Sequence, residues 1–153
     1  MGRRRKAREE TLRILYRLEF DNQEPEEILR HYWKSKRTDR ETRDYSTWLT
    51  KGITSHQDEI DGLIQSTSEH WRLPRMAVID RNVLRMAVYE LLFEKDIAPA
   101  IIINEAIEIA RKYSGDESAV FVNGILDAVR KGLEKTKKGL KEKKDDKKEK
   151  KRV

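Results

Sequence analysis

The first candidate functional residues form a basic run at the start of the chain, Arg3-Arg4-Arg5-Lys6-Ala7-Arg8. Guanidinium groups offer forked donors that match the oxygens of a phosphate. If several phosphates of a single strand were neutralised, counterions would be released, and log K would fall with log salt by roughly 0.7 per contact. Basic runs of this length are common, so this one by itself indicates only a polyanionic partner.

Two aromatic residues lie beside the apolar faces of their predicted helices rather than within them. Phe121 is displaced by about 100° from the stripe that Val122, Ile125 and Val129 form. Tyr16 lies at the edge of the stripe of the first helix. A ring turned away from the core can stack on an unpaired base. Sideways packing against another helix is the alternative for both residues, and their spacing leaves both interpretations open.

Patterns that support catalysis or metal binding are missing from the sequence. It contains no cysteine, no G-x-G-x-x-G, no phosphate-binding G-x-x-x-x-G-K-[ST] and no H-E-x-x-H. The three histidines, His31, His56 and His70, occupy separate segments without ligand spacing. Glu105 and Glu108 lie three apart without a histidine, which favours a solvated face or first-turn carboxylates. We therefore predict a protein that is not an enzyme and that holds no cofactor and no metal.

Charge is distributed unevenly over the 153 residues, whose net charge is +6. The last 19 residues contain 11 Lys+Arg and 4 Asp+Glu, and their only apolar residues are Leu140 and Val153. Such composition is typical of a disordered, solvating segment. We therefore predict a folded domain over residues 1–134 and a Lys-rich disordered tail over 135–153. With no signal peptide and no apolar run long enough to span a membrane, the expected location is the cytoplasm.

The elements that must position these residues are helical by their periodicity. A first helix carries its basic residues outward from an apolar stripe formed by Ala7, Thr11, Ile14, Leu15 and Leu18. A short helix is predicted over 26–33 after Pro25, and a longer helical pattern over 41–71, bent at Gly52 or Gly62. The segment 75–95 is apolar on nearly all sides, which predicts the central helix of the fold.

The second half of the chain continues as helix. Helices are predicted over 104–113, ended by Gly115, and over 117–133. Ile101, Ile102 and Ile103 are β-branched and are compatible with a strand, but no second strand exists to pair with them. The predicted fold class is therefore all-α.

Four sequence blocks, in this order and spacing, resemble the NusB family of transcription antitermination factors. They are the N-terminal block with its Arg run, Ala7-Arg8-Glu9 and Leu15-Tyr16, then DRNVLRMAVYEL over 80–91, NEAIEIA over 104–110 and FVNGILD over 121–127. The resemblance covers residues 3–131 and is weak between 21 and 65. It implies two small helical bundles packed across one another.

The resemblance also implies a function. A member of this family is expected to bind boxA, a single-stranded element of ribosomal RNA operons, together with NusE, the small-subunit ribosomal protein. The pair joins the antitermination complex of RNA polymerase and opposes premature termination. Some relatives form homodimers, and the sequence leaves the oligomeric state open.

The family's contacts can be carried onto this chain residue by residue. RNA contacts fall on Arg4, Arg5, Arg8, Tyr16, Glu117 and Phe121. A carboxylate at Glu117 could accept a hydrogen bond from a base amino group. NusE contacts fall on Asp80 and Arg81, and by spacing Asp80, Val83, Ala87 and Glu90 share one side of the central helix, which would suit a protein interface.

One departure and two alternatives accompany this assignment. Val120 stands where many relatives carry a lysine, which would remove one phosphate contact. Arg81, Arg85, Glu90 and Glu94 could instead form ion pairs within the chain. The chain as a whole could be an adaptor that binds a protein partner while its basic ends bind any polyanion, without preference for an RNA sequence.

Overall fold

The computed structural model describes the backbone of residues 2–152 and the side chains of residues 2–137. The described backbone contains α-helices and one 3-10 turn, Leu73–Arg75, and no strand. The helices are α1 (Gly2–Phe20), α2 (Pro25–Lys34), α3 (Arg40–Ser55), α4 (Gln57–Ser66), α5 (Val78–Phe93), α6 (Pro99–Ser114) and α7 (Asp116–Arg152). The predicted all-α class is confirmed.

Local sequence sets the ends of these helices. Pro25 and Pro99 begin α2 and α6, where their missing N–H is not needed. The Asp39 carboxylate accepts from the backbone N–H of Thr42 at 3.1 Å and caps α3. Gly115 has φ +95°, a left-handed conformation that favours glycine, and it separates α6 from α7 in a single residue. α6 and α7 therefore form a tight helical hairpin.

The helices form two bundles around one main core, as the resemblance implies. α1, α2 and α3 pack together, with a small cluster of Ile14, Ile28, Leu29, Tyr32 and Trp33 beneath α2. α4 to α7 form the second bundle, and α1 and α3 contact α5 across the boundary. α5 contacts α1, α3, α4, α6 and α7, which confirms the segment predicted to be the central helix.

The helical pattern over 41–71 divides at His56, not at Gly52 or Gly62. The backbone N–H of His56 donates to the Gly52 carbonyl oxygen at 3.0 Å, and the His56 Nδ1 lies 2.9 Å from the same oxygen, so His56 closes the end of α3. Gly52 serves a different purpose, because a Cβ at this position would overlap the ring of Tyr89 on α5. Glycine therefore allows α3 and α5 to approach, and the break in the helix lies four residues later, where His56 has φ −117° and ψ 21°.

Two further predictions concern the second bundle. The isoleucine triplet lies in the first turns of α6, with Ile102 and Ile103 buried and Ile101 exposed, so its strand alternative is wrong. The backbone of α7 is helical to Arg152 and so runs through most of the Lys-rich segment. Because propensity alone leaves a helix marginal in water, the domain boundary at 134 and the disorder of 135–153 remain predictions. None of the described helices combines the length and apolar character needed to cross a membrane.

Candidate nucleic-acid interface

The arginines of the basic run reach three different helices. Arg3 Nη1 lies 2.5 Å from Glu41 on α3, and Arg5 donates to Glu105 on α6 through Nε at 2.7 Å and Nη2 at 2.9 Å. Arg8 donates to Glu90 on α5 through two hydrogen bonds of 2.7 Å. The Arg4 guanidinium stacks 3.8 Å above the ring of Tyr45. Arg4 forms no ion pair with the side chains of residues 2–137.

Arg8 lies mostly inside the protein, which argues against a direct RNA contact at this position. Its side chain is 5% exposed and that of Glu90 is 1% exposed. The Tyr45 hydroxyl donates a further hydrogen bond to Glu90 at 3.0 Å, and burial raises the pKa of Tyr45. Because its donors at Nε and Nη2 bind a buried carboxylate, Arg8 fixes α1 to α5, and Nη1, which lies 3.9 Å from Glu105, is its one donor atom outside this pair.

Arg5 occupies a more open position between α1 and α6. The hydrogen bond from Arg5 holds the pKa of Glu105 below its ordinary value. Two further contacts follow along the same pair of helices: Lys112 Nζ to Glu9 at 2.7 Å, and Arg13 Nη2 to the Tyr113 hydroxyl at 3.1 Å. We call this row the α1–α6 seam, defined by Arg5–Glu105, Glu9–Lys112 and Arg13–Tyr113.

The seam leads to an aromatic pair at the end of α1. Positions 5, 9, 13, 16 and 20 fall within about 80° of one another around the helix axis. Tyr16 and Phe20 therefore continue the face that carries Arg5. Their ring centroids are 4.9 Å apart, and the residues are 49% and 63% exposed. The distance along the axis from Arg5 to Tyr16 is roughly 16 Å.

The predicted residues of α7 begin directly after the seam. Gly115 reverses the chain after Tyr113, and Glu117 is exposed in the first turn of α7. Phe121 is partly buried and packs against the main core, so it makes the sideways contact and also presents part of its ring. Val120, beside it, is 73% exposed. The first turns of α7 thus offer a carboxylate and one edge of an aromatic ring.

Ion pairs join the end of α1 to the start of α5, and a hydrogen bond joins the start of α7 to it. Arg81 donates to Glu19 at 2.8 and 2.7 Å, and Arg85 donates to Glu19 at 2.9 Å. Hydrogen bonds from Arg81 and Arg85 hold the pKa of Glu19 low. Ser118 on α7 lies 3.3 Å from an Asp80 oxygen. Tyr16 and Phe20 on α1 and Glu117 and Phe121 on α7 therefore belong to elements that meet at one end of the molecule.

The residues of α5 that were predicted to form a protein-binding surface are buried, so that prediction is wrong. Asp80 is 8% exposed, and Val83, Ala87 and Glu90 are exposed by at most 2%. Burial raises the pKa of Asp80, with a smaller opposing effect from Ser118. Residues with this spacing share one helix face, but α5 is central, and α1 and α3 contact this face at Glu90 while α7 contacts it at Asp80. The alternative of ion pairs within the chain is confirmed for Arg81, Arg85 and Glu90.

Sequence reasoning missed three residues of this surface. Phe20 lies one turn beyond Tyr16, a spacing at which helical side chains meet, and this signal was available. Arg13 and Lys112 gave no signal, because each owes its position to a contact with a residue about 100 positions away. Among the described side chains, no group of His, Asp or Glu is arranged to hold a metal ion.

Comparisons with known proteins fit this geometry. The model of the NusB family matches residues 5–131. A protein of Anaeromyxobacter dehalogenans (strain 2CP-1 / ATCC BAA-258) named "Transcription antitermination protein NusB" is 43% identical over 133 residues, covering 86% of this chain and 93% of the relative. A protein of the same name from Myxococcus xanthus is 42% identical over 139 residues, covering 88% and 99%.

Solved structures of similar proteins share the fold. The structure of T. maritima NusB superposes with a TM-score of 0.78 at 41% identity, covering 86% of this chain and 92% of that one. A structure described as antitermination factors NusB and NusE in complex with dsRNA gives a TM-score of 0.77 at 28% identity, covering 86% and 98%.

Proposed function

The chain belongs to the NusB family, and from that premise we propose that it is a transcription antitermination factor that binds single-stranded boxA RNA of ribosomal RNA operons together with NusE. In this role it joins the antitermination complex of RNA polymerase and opposes premature termination. The names of its relatives and the structure of a similar protein with NusE and RNA support the proposal. The family acts by binding, and the chain is not an enzyme.

The observation that carries the RNA-binding role is the alignment of the α1–α6 seam with the aromatic pair. A single helix face carries Arg5 at one end and the exposed rings of Tyr16 and Phe20 at the other. Single-stranded nucleic acids are bound by positive grooves that follow the backbone and by rings on which bases stack. The seam supplies the cations Arg5, Arg13 and Lys112, and the aromatic pair continues the same face of α1 with two exposed rings.

Each residue then has a distinct role in the proposed interface. Arg4 and Arg5 bind phosphates, which positions the strand without reading its sequence. Tyr16 and Phe121 stack on unpaired bases, and Phe20 extends the ring surface of Tyr16. Glu117 accepts a hydrogen bond from a base amino group. Arg8 acts indirectly, because its buried pair with Glu90 holds α1 in place.

The proposed contact with NusE lies where α1, α5 and α7 meet. Asp80 and Arg81 contribute there as residues that fix the surface, since Arg81 already binds Glu19 and Asp80 is buried. The RNA-binding domain is assigned to residues 1–134, with a Lys-rich tail over 135–153. A factor that acts on a transcribing polymerase is placed in the cytoplasm.

Fluorescence anisotropy of a labelled boxA strand tests the function. Titrations are compared with a scrambled strand of equal length, with and without NusE, at one near-physiological salt concentration, because salt changes every such affinity. The expected result is a preference for boxA that increases with NusE. Equal, steeply salt-dependent binding to both strands would instead support the basic adaptor.

A further inference from the structure

The carboxylates that face the basic run differ in how firmly they hold its arginines. The Arg3–Glu41 pair is open to water, with side chains 63% and 73% exposed. The Arg8–Glu90 pair is sealed, with side chains 5% and 1% exposed. Arg5–Glu105 lies between them, at 34% and 21%. The Arg5–Glu105 pair is therefore buried enough to have a defined geometry and exposed enough for a nucleic acid to reach it.

Glu105 is the carboxylate of this partly exposed pair, and it lies close to two arginines. Both of its oxygens accept from Arg5, at 2.7 and 2.9 Å, and one lies 3.9 Å from Arg8 Nη1. The hydrogen bonds use the Nε and Nη2 edge of Arg5, which is an edge that a phosphate would use for two parallel bonds. A phosphate and Glu105 therefore compete for the same donors.

We propose that Glu105 is an internal competitor of RNA for Arg5 and limits the affinity of this protein for every single-stranded RNA. The inference rests on the proposed function, in which Arg5 is a phosphate contact. A strand that binds Arg5 must first displace Glu105, and the bared carboxylate then attracts a cation. This uptake of a cation by Glu105 offsets the counterion that the phosphate releases when it binds Arg5. Phosphate contacts carry no sequence information, so Glu105 lowers the affinity for cognate and scrambled strands alike.

The test is the salt dependence of RNA binding by Glu105→Gln. The substitution keeps the size of the side chain but removes its charge, so binding of Arg5 to a phosphate no longer leaves a bare carboxylate. The slope of log K against log salt should steepen by up to about 0.7, which corresponds to a gain of about four-fold in affinity at 0.15 M salt. The gain should be equal for boxA and for a scrambled strand.

Glu108→Gln is the matched control. Glu108 lies one turn further along α6 and accepts a hydrogen bond from Arg111 rather than from Arg5; the pKa of Arg5 is raised mainly by its hydrogen bond to Glu105 and only slightly by the charge of Glu108. Its own partner, Arg111, also binds Asp116 at 3.2 Å. This control removes the same charge from the same helix but leaves Arg5 paired, so its slope should stay at the wild-type value.

Two more variants make the result specific. Glu105→Ala removes the acceptor altogether and should show at least the gain of Glu105→Gln, since a glutamine can retain one hydrogen bond to Arg5. In an Arg5→Ala background, Glu105→Gln should give no gain, because the contested guanidinium is missing. Thermal unfolding of each variant confirms that binding is measured on folded protein.

Two results would overturn the proposal. Weaker binding by both Glu105 variants would mean that Glu105 holds Arg5 in the orientation that RNA requires. Unchanged affinity and slope would mean that Arg5 and Glu105 take no part in binding. Failure of the proposed function looks different: the wild-type protein would then show no preference for boxA, while the slope on either strand would still report on Glu105.

Discussion

The two ends of α1 differ in how much of their binding capacity is already used by the protein itself. At its start, Arg3, Arg5 and Arg8 are paired with carboxylates of three other helices. At its end, Tyr16 and Phe20 contact each other and leave about half or more of their surface in water. The same helix thus has a basic start that mainly holds the bundles together and an aromatic end that is open.

This difference changes the weight of the two signals in the sequence. A run of arginines indicates affinity for polyanions, but each carboxylate partner lowers the charge that a phosphate would meet. Exposed rings with no covering element keep their stacking capacity. We therefore expect the basic start to contribute to stability and to general affinity, and the aromatic end to contribute to recognition of bases.

The largest expected effect is on stability, at the basic start. Arg8→Ala leaves Glu90 buried with the Tyr45 hydroxyl as its remaining donor, and breaking a buried pair from one side costs about 3–5 kcal/mol. Urea unfolding should show this loss in the free energy of unfolding. Arg3→Ala, at the exposed pair, serves as the control and should leave the midpoint nearly unchanged. Equal midpoints for Arg8→Ala and the wild type would refute the structural role.

The next effect is on RNA binding, at the aromatic end. Tyr16→Ala should weaken boxA binding by roughly 1–3 kcal/mol, because one stacked base loses its ring. Stability should change little, since the residue is exposed. Trp71 is another aromatic residue, 53% exposed, that lies between α4 and the 3-10 turn and takes part in none of the seam contacts, so Trp71→Ala is the control. Equal affinities of Tyr16→Ala and Trp71→Ala would remove Tyr16 from the site.

Phe121→Ala should weaken boxA binding by a similar amount, with some loss of stability because Phe121 packs against the main core.

A smaller effect concerns the pH dependence of the aromatic end. The hydrogen bond from Arg81 lowers the pKa of Glu19 below its ordinary value of 4.5. This group therefore adds stability above pH 4.5, and that stability is lost as the pH falls through the lower, folded-state pKa. Glu19→Gln should reduce stability at neutral pH by roughly 1 kcal/mol, after allowance for partial exposure. The difference from wild type should vanish in acid, and a constant difference from pH 7 to pH 3 would contradict the pairing.

The smallest effect is expected at Arg4, the arginine that stacks on a ring. Arg4→Ala should remove one phosphate contact, which reduces the salt slope by about 0.7 and the affinity at 0.15 M salt by about four-fold. The loss should be the same for boxA and scrambled strands. Arg4→Lys keeps the charge and should retain most of the slope. A loss confined to boxA would show that Arg4 reads sequence, contrary to this account.

The sequence predicts the fold better than the site. Helix periodicity, Pro25, Pro99 and Gly115 are local signals, and they predict the helices and the central position of 75–95. The break at His56 was missed because a polar residue that caps two successive helices through contacts with Gly52 carries no signal of its own. Such a contact has no periodicity and cannot be distinguished from a polar position within a helix.

The site was predicted in part, because its residue types are visible in the sequence and its pairings are not. Tyr16 was placed correctly at the rim of its helix stripe. Arg8 looks like its neighbours in the basic run, yet its partner Glu90 lies 82 positions away and draws it into the core. Asp80 was assigned to a surface by its spacing, which gives the face of a helix but not what covers that face.

The most direct test of the central claim is photo-crosslinking of boxA strands that carry a photoreactive base at successive positions, followed by mass spectrometry of the peptides. Base crosslinks are expected to the peptides that contain Tyr16, Phe20 and Phe121. Crosslinks concentrated on α2 to α4, with none to these peptides, would contradict it. The aromatic end of α1 would then not be the surface that reads RNA.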